Sequence, residues 1–168
     1  MIASPPAWAL ALTYWLHLLA TVAWIGCIVS ISILVLPAAR KALKPADQLA
    51  LISAMQQRLE PIAWFCMSLL LLTGLFQMSV NPHYDGFLST STQWSLAILV
   101  KHLLGIVMVT ASAIQTWEVI PAIRRTLMKK QADEARVLAL QKRETLLIRI
   151  NVGLSLLILL ATAFARAS

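Results

Sequence analysis

The sequence predicts an all-α integral membrane protein, a four-helix up-down bundle with both termini external. Two observations support this prediction. Of the 168 residues, 60% are hydrophobic and 12% are charged, which is more apolar surface than a soluble domain of this length can bury. The charged residues lie in blocks between long apolar runs, and each run is long enough to cross a hydrocarbon core of about 30 Å as a helix.

Four apolar runs have this length, and together they predict a single transmembrane domain over residues 1–168. We expect helices at about residues 8–36, 61–78, 93–119 and 146–164. Pro61 stands at an expected helix start, and Pro37 and Pro121 stand just past expected helix ends, where proline is tolerated. The first run is too long for the apolar region of a signal peptide, so we expect it to be retained. The pattern predicts no internal repeat.

The distribution of Lys and Arg predicts the orientation. Twelve of the fourteen lie in or beside the connections 38–60 and 120–145, and short loops rich in Lys and Arg stay cytoplasmic. We therefore expect these two loops on the cytoplasmic side of a bacterial inner membrane, and residues 79–92 outside. The apolar spacing within 49–59 indicates that the basic loops continue the helices.

The net charge of +7 does not indicate nucleic-acid binding, because the cations are not spread over a folded surface. The expected partner is the lipid bilayer. A larger membrane complex or a second copy of the chain is a further expected partner.

Two histidines inside the apolar runs are the first candidates for function, because burying polar groups in a membrane is costly. His17 and His102 each stand nine residues after the expected outer end of their run, which is about 13 Å along a helix. Helices 1 and 3 are expected to be parallel and diagonal, and two imidazoles can ligate haem iron in a bundle core. The sequence thus predicts a b-type haem with His17 and His102 as metal ligands. Alternatively, each imidazole hydrogen-bonds a neighbouring hydroxyl or carbonyl group.

Three residues are candidates for the walls of such a cofactor site. Gly105 and Gly74 lack the side-chain bulk that would exclude a flat macrocycle, although glycines also serve helix packing in membranes. Trp24 stands seven residues after His17 and therefore on the same helical face. It lines the cofactor or fills the core.

Lys101 is a candidate because no carboxylate occurs at its expected depth. An unpaired ammonium group is costly there. Lys101 therefore either binds an anion such as a porphyrin carboxylate or extends its side chain towards the membrane surface.

Sulfur-bearing residues support an alternative metal. Cys27, Cys66, Met67 and Met108 are soft ligands suited to Cu(I), but cysteine and methionine are also ordinary core residues. No pair has the spacing of a ligand motif, and the sequence predicts no pair of intramembrane carboxylates.

At these positions the chain resembles a known group of membrane proteins, the CopD (copper resistance protein D) domain and the related HemJ-type protoporphyrinogen oxidases, over roughly residues 10–165. The matching segments are Trp15-Leu16-His17-Leu18-Leu19, Trp24-Ile25-Gly26, Arg58-Leu59, Thr73-Gly74 and Lys101. The resemblance implies a four-helix membrane core. HemJ-type proteins imply haem association through His17 and Lys101, whereas CopD proteins imply copper uptake or resistance. Ser112 stands where HemJ-type chains have a further histidine.

Three functions remain open at this stage. The first is haem binding between helices 1 and 3 for electron transfer or haem handling. The second is copper transport or resistance, and the third is a cofactor-free accessory subunit of a larger membrane complex.

Overall fold

The structure is a computed structural model that describes residues 5–129 and 133–167. In these residues it forms four long helices and no strand: α1 (Ala7–Ala42), α2 (Pro45–Ser79), α3 (Gln93–Leu127) and α4 (Glu134–Ala167). All four are long and apolar enough to cross a membrane. The predicted all-α fold and the class of integral membrane protein are therefore confirmed. Lys130, which contributes to the basic third connection, lies outside the described residues.

The helices are longer than predicted, and the helix boundaries proposed at Pro37, Pro61 and Pro121 are wrong. In α1 and α3 the turn before the proline is a π-helical segment, Ile31–Val35 and Gln115–Val119. A proline in a helix lacks the amide donor and crowds the preceding turn. The wider π turn accommodates both effects, so the helix continues.

This extra helical length lies mostly in the basic segments. A helix of 35 residues, the length of α2, is about 52 Å long at 1.5 Å per residue, well beyond a hydrocarbon core of about 30 Å. Most of 38–60 and 120–145 is accordingly helical, as the apolar spacing indicated. We call the end of the bundle that holds residues 80–92 the outer end, and the end that holds residues 43–44 the inner end.

The two helical hairpins, α1–α2 and α3–α4, repeat one pattern, and the expectation of no internal repeat is wrong. The segments Val35-Leu36-Pro37-Ala38 and Val119-Ile120-Pro121-Ala122 each follow a π turn, and each is followed by a basic pair. The same interval of 84 residues separates the two π turns, the two prolines, and Glu60 from Glu144. Helices of equal rank run in the same direction, as in membrane proteins built from parallel repeats.

The hairpins pack side by side around a shared core. Within each hairpin the two helices contact each other along much of their length, and α2 and α4 also contact each other across the bundle. This contact places α1 and α3 on opposite sides, which agrees with the predicted diagonal arrangement. Trp64 of α2 stacks on Trp117 in the π turn of α3, with ring centroids 5.4 Å apart.

Large apolar side chains cover the perimeter of the bundle. Trp8, Val22, Phe65, Leu72 and Trp117 are each about two-thirds exposed or more. Such a continuous apolar surface is stable only against lipid. Contact with the bilayer is therefore confirmed.

Candidate functional site

His17 lies in the outer half of α1 and is hydrogen-bonded to α2. Its Nδ1 lies 2.8 Å from Thr73 Oγ1. The Thr73 hydroxyl donates to the Leu69 carbonyl at 2.6 Å, so it accepts from His17, and the imidazole proton lies on Nδ1. The Nε2 atom is then the unprotonated nitrogen, the one able to bind a metal.

Gly74 allows the His17 ring to approach α2. A Cβ atom at this position would lie 3.4 Å from His17 Cε1. The space at Gly74 predicted for a macrocycle is thus filled by the imidazole. At Gly105 a Cβ atom would meet no heavy atom within 4 Å, so that glycine leaves open space.

His102 has different neighbours. Its Nδ1 donates to the Ile98 carbonyl of its own helix at 2.7 Å. Its ring lies 4.8 Å from the Phe87 ring in the outer connection. Both imidazoles thus form the local hydrogen bonds of the alternative interpretation. The arrangement adds no support to joint ligation of haem, which stays a prediction.

Lys101 lies near His17 and near the end of α4. Its charge acts on the His17 ring and on Arg166, and Arg166 stands over the Tyr14 ring at 5.3 Å. Within the described part of the chain, the ion pair present is Arg143 with Glu118, so no carboxylate there reaches Lys101. The outer end therefore combines an imidazole with two cations.

A cavity of about 90 Å³ lies at the centre of the bundle, on the inner side of His17. It has room for an ion with several water molecules. Ile31 and Gln115, which are equivalent positions of the two π turns, both line it. π-Helical turns are often found at functional sites, and here both of them shape this cavity.

Sulfur atoms from three helices meet at this cavity. Cys27 of α1 and Cys66 and Met67 of α2 line it. Met108 of α3 packs in the same buried cluster as Cys66 and Met67. Trp24 closes the cluster, and its buried indole Nε1 has no hydrogen-bond partner. The structure thus brings together the four soft ligands that the sequence shows only as separate residues.

The inner wall of the cavity is polar, and its principal residue is Glu144, which is 1% exposed. Gln56 Nε2 of α2 donates to Glu144 Oε1, and Gln115 Nε2 of α3 donates to the same oxygen at 2.8 Å. Towards the outer end, Asn151 Nδ2 donates to Ser112 Oγ at 3.4 Å.

These polar groups lead from the inner end to the sulfur atoms. Glu144, Asn151 and Ser155 recur at intervals of seven and four residues, which places them on one face of α4. The interval from Glu144 to Ser155 is about 16 Å along the helix axis. Ser155 Oγ lies 3.8 Å from Met108 Sδ, so the polar face ends at the sulfur cluster.

Sequence reasoning missed Glu144 because its neighbours Lys142 and Arg143 indicate a solvated loop. The expectation of no intramembrane carboxylates in a pair is wrong as well, since Glu60 lines the cavity and occupies the equivalent position in the first hairpin. The interval of 84 residues shared by Pro37 and Pro121 was the signal that could have found this pair.

Among residues 5–129 and 133–167, no three His, Cys, Asp or Glu side chains form a cluster able to hold a metal ion. A metal ion in the cavity would therefore depend on methionine thioethers together with the cysteine thiols. This donor set suits a soft monovalent ion such as Cu(I) and not a hard divalent cation.

Comparison with known proteins gives one family. The family described as copper resistance protein D matches residues 53–165, which includes α3, most of α2 and most of α4. No curated protein and no solved structure matches the chain.

Proposed function

The chain belongs to the copper resistance protein D family, and we propose that it handles copper by admitting Cu(I) to its central cavity. The supporting observation is that Cys27, Cys66 and Met67 line one cavity, with Met108 in the same cluster. The family links the chain to copper resistance, and the sulfur atoms supply ligands of the right chemical class.

The surroundings of the sulfur atoms favour Cu(I). Ala20 and Trp24 pack in the same cluster and limit the access of water to it. A cysteine must lose its proton to become a strong ligand, and one thiolate would balance the charge of one Cu(I) ion. The thioethers of Met67 and Met108 would add ligands without adding charge.

The polar residues define a route on either side of this site. Towards the outer end, His17 has its Nδ1 occupied by Thr73, which leaves Nε2 for a passing ion. Towards the inner end, the oxygen atoms of Ser112, Asn151 and Glu144 follow one another. The order of ligands is therefore nitrogen, sulfur and then oxygen, and the softest donors lie at the centre.

The orientation supported by the charges places the inner end in the cytoplasm, because Arg40, Lys41, Arg124 and Arg125 lie there. In a variant that lacks both native cysteines, Ser89→Cys should react with an impermeant thiol reagent in intact cells, and Lys129→Cys should not. Stronger labelling of Lys129→Cys would reverse the orientation.

Cu(I) binding can be measured by anaerobic competition with a coloured chelator on protein in lipid nanodiscs. The Cys27→Ser/Cys66→Ser variant should bind Cu(I) about 100-fold more weakly, since both thiolates are lost. Met67→Leu should show a smaller loss. Met128→Leu is the matched control, because Met128 is 76% exposed at the inner end.

Unchanged affinity in the double cysteine variant would contradict the proposal. Equal losses in Met67→Leu and Met128→Leu would remove Met67 from the site. The haem, homo-oligomer and accessory-subunit hypotheses stay predictions. A Soret band in the spectrum of the purified protein would revive the first of them.

A further inference from the structure

The hydrogen bonds around Glu144 are all on one side of its carboxyl group. Both amide donors, Gln56 Nε2 and Gln115 Nε2, point to Oε1. The other oxygen, Oε2, is buried and has no hydrogen-bond partner. An ionised carboxylate has two equivalent acceptor oxygens, so a buried one is expected to attract donors to both. A neutral carboxylic acid has one carbonyl oxygen that accepts and one oxygen that holds the proton.

A second buried acceptor also lacks a partner. Gln56 Oε1 belongs to the amide group whose nitrogen donates to Glu144, and this oxygen receives no hydrogen bond. A proton on Glu144 Oε2 would supply the missing donor. The amide and the acid would then form a cyclic pair with two hydrogen bonds, and a single proton would account for both unpartnered oxygen atoms.

The charged groups around Glu144 do not neutralise a carboxylate. From α1, Arg40 donates to Thr145 Oγ1 at 3.3 Å, and on α4, Arg143 pairs with Glu118. No Lys or Arg in the described ranges lies within salt-bridge distance of Glu144.

The remaining titratable groups at this cavity are Glu60 of α2, Cys27 of α1 and Cys66 of α2. Ionisation of these groups would add negative charge, and α3 contributes the neutral Gln115. A buried carboxylate without a cation is very costly.

We propose that Glu144 is a neutral carboxylic acid when the cavity is empty, and that it exchanges its proton for the cation that enters. This inference rests on the proposed function, because the cation is the Cu(I) ion admitted to the cavity. As Cu(I) arrives, the O–H bond of Glu144 breaks and the proton leaves to water. The carboxylate then balances the charge of the ion, and it takes up a proton again when the ion departs.

Infrared spectroscopy of the protein in nanodiscs tests this exchange directly. At neutral pH the wild-type protein should show the carbonyl stretch of a protonated carboxylic acid. The band should be lost in Glu144→Gln, which keeps the shape of the side chain, and retained in Glu118→Gln, which changes an exposed, ion-paired carboxylate. Gln56→Leu should keep the band and shift its frequency, because it removes the proposed acceptor.

Anaerobic addition of Cu(I) as its acetonitrile complex should then abolish the band. Proton release on Cu(I) binding, followed with a pH indicator, should fall in Glu144→Gln by roughly one proton per ion. The cysteine thiols release their own protons in both proteins, so the difference reports Glu144.

Several results would overturn the inference. They are a wild-type protein without the band, a band that survives Glu144→Gln, and a band that persists after the chelator titration shows bound Cu(I). If no Cu(I) binds, the proposed function fails and the exchange fails with it. The band before copper addition still decides whether Glu144 holds a proton.

Discussion

The outer and inner halves of the bundle treat their buried polar groups differently. In the outer half, His17 is hydrogen-bonded to Thr73, and His102 to the Ile98 carbonyl. In the inner half, Glu144 Oε2, Gln56 Oε1 and Asn151 Oδ1 are buried without partners. Native proteins satisfy nearly all such atoms. The inner half is therefore where a proton, a water molecule or an ion completes the structure.

This difference separates groups that position a helix from groups that bind. A side chain whose hydrogen bonds are all made within the protein contributes to packing. A side chain that retains an unused acceptor next to a cavity can serve a passing ion. The two halves can be compared through substitutions that remove one group from each.

The largest effect is expected at Glu144. Glu144→Ala leaves the buried amides of Gln56 and Gln115 without an acceptor, at about 1–3 kcal/mol for each. It should therefore lower the free energy of unfolding by about 2–6 kcal/mol, measured by detergent-induced unfolding in mixed micelles. Glu144→Gln should lose much less. Equal stability of Glu144→Ala and the wild type would mean that the carboxyl group does not hold these amides.

A smaller effect is expected at Gly74, where the His17 ring leaves no space for a larger side chain. Gly74→Val should cost about 1–3 kcal/mol through overpacking, in the same unfolding assay. Gly105→Val is the matched control, because its Cβ would meet nothing within 4 Å. Similar losses in both variants would show that the approach of His17 to α2 is not required.

The smallest effect is expected at Thr73. Thr73→Val removes the hydroxyl that accepts from His17, and the expected loss is about 0.5–1.5 kcal/mol of unfolding free energy. Thr110→Val is the control, since the Thr110 hydroxyl is exposed and donates to its own helix. A loss confined to Thr110→Val would contradict the assignment of Thr73 as the partner of His17.

The fold could be predicted from the sequence because the bilayer allows few solutions. Backbone groups in lipid must pair within a helix, so four long apolar runs already define four spans. Helix ends were harder to predict. Pro37 and Pro121 normally mark boundaries, and nothing in the local composition shows that a π turn precedes each of them.

The site could be predicted only in part. His17 and Lys101 stand out because they are polar residues within apolar runs, and the structure does place them close together. The sulfur cluster depends on how three helices are rotated against one another, which the even distribution of apolar residues around these helices does not indicate. Glu144 was hidden by the adjacent basic residues Lys142 and Arg143.

X-ray absorption spectroscopy of the Cu(I)-loaded protein tests the central claim most directly, because it identifies the atoms bound to copper. The wild-type protein should show a first shell dominated by sulfur, at distances typical of thiolate and thioether ligands. The Cys27→Ser/Cys66→Ser variant should lose most of that shell or retain no copper. A wild-type shell of nitrogen and oxygen only, or an unchanged sulfur shell in the double variant, would contradict a copper site formed by the cysteines of the central cavity.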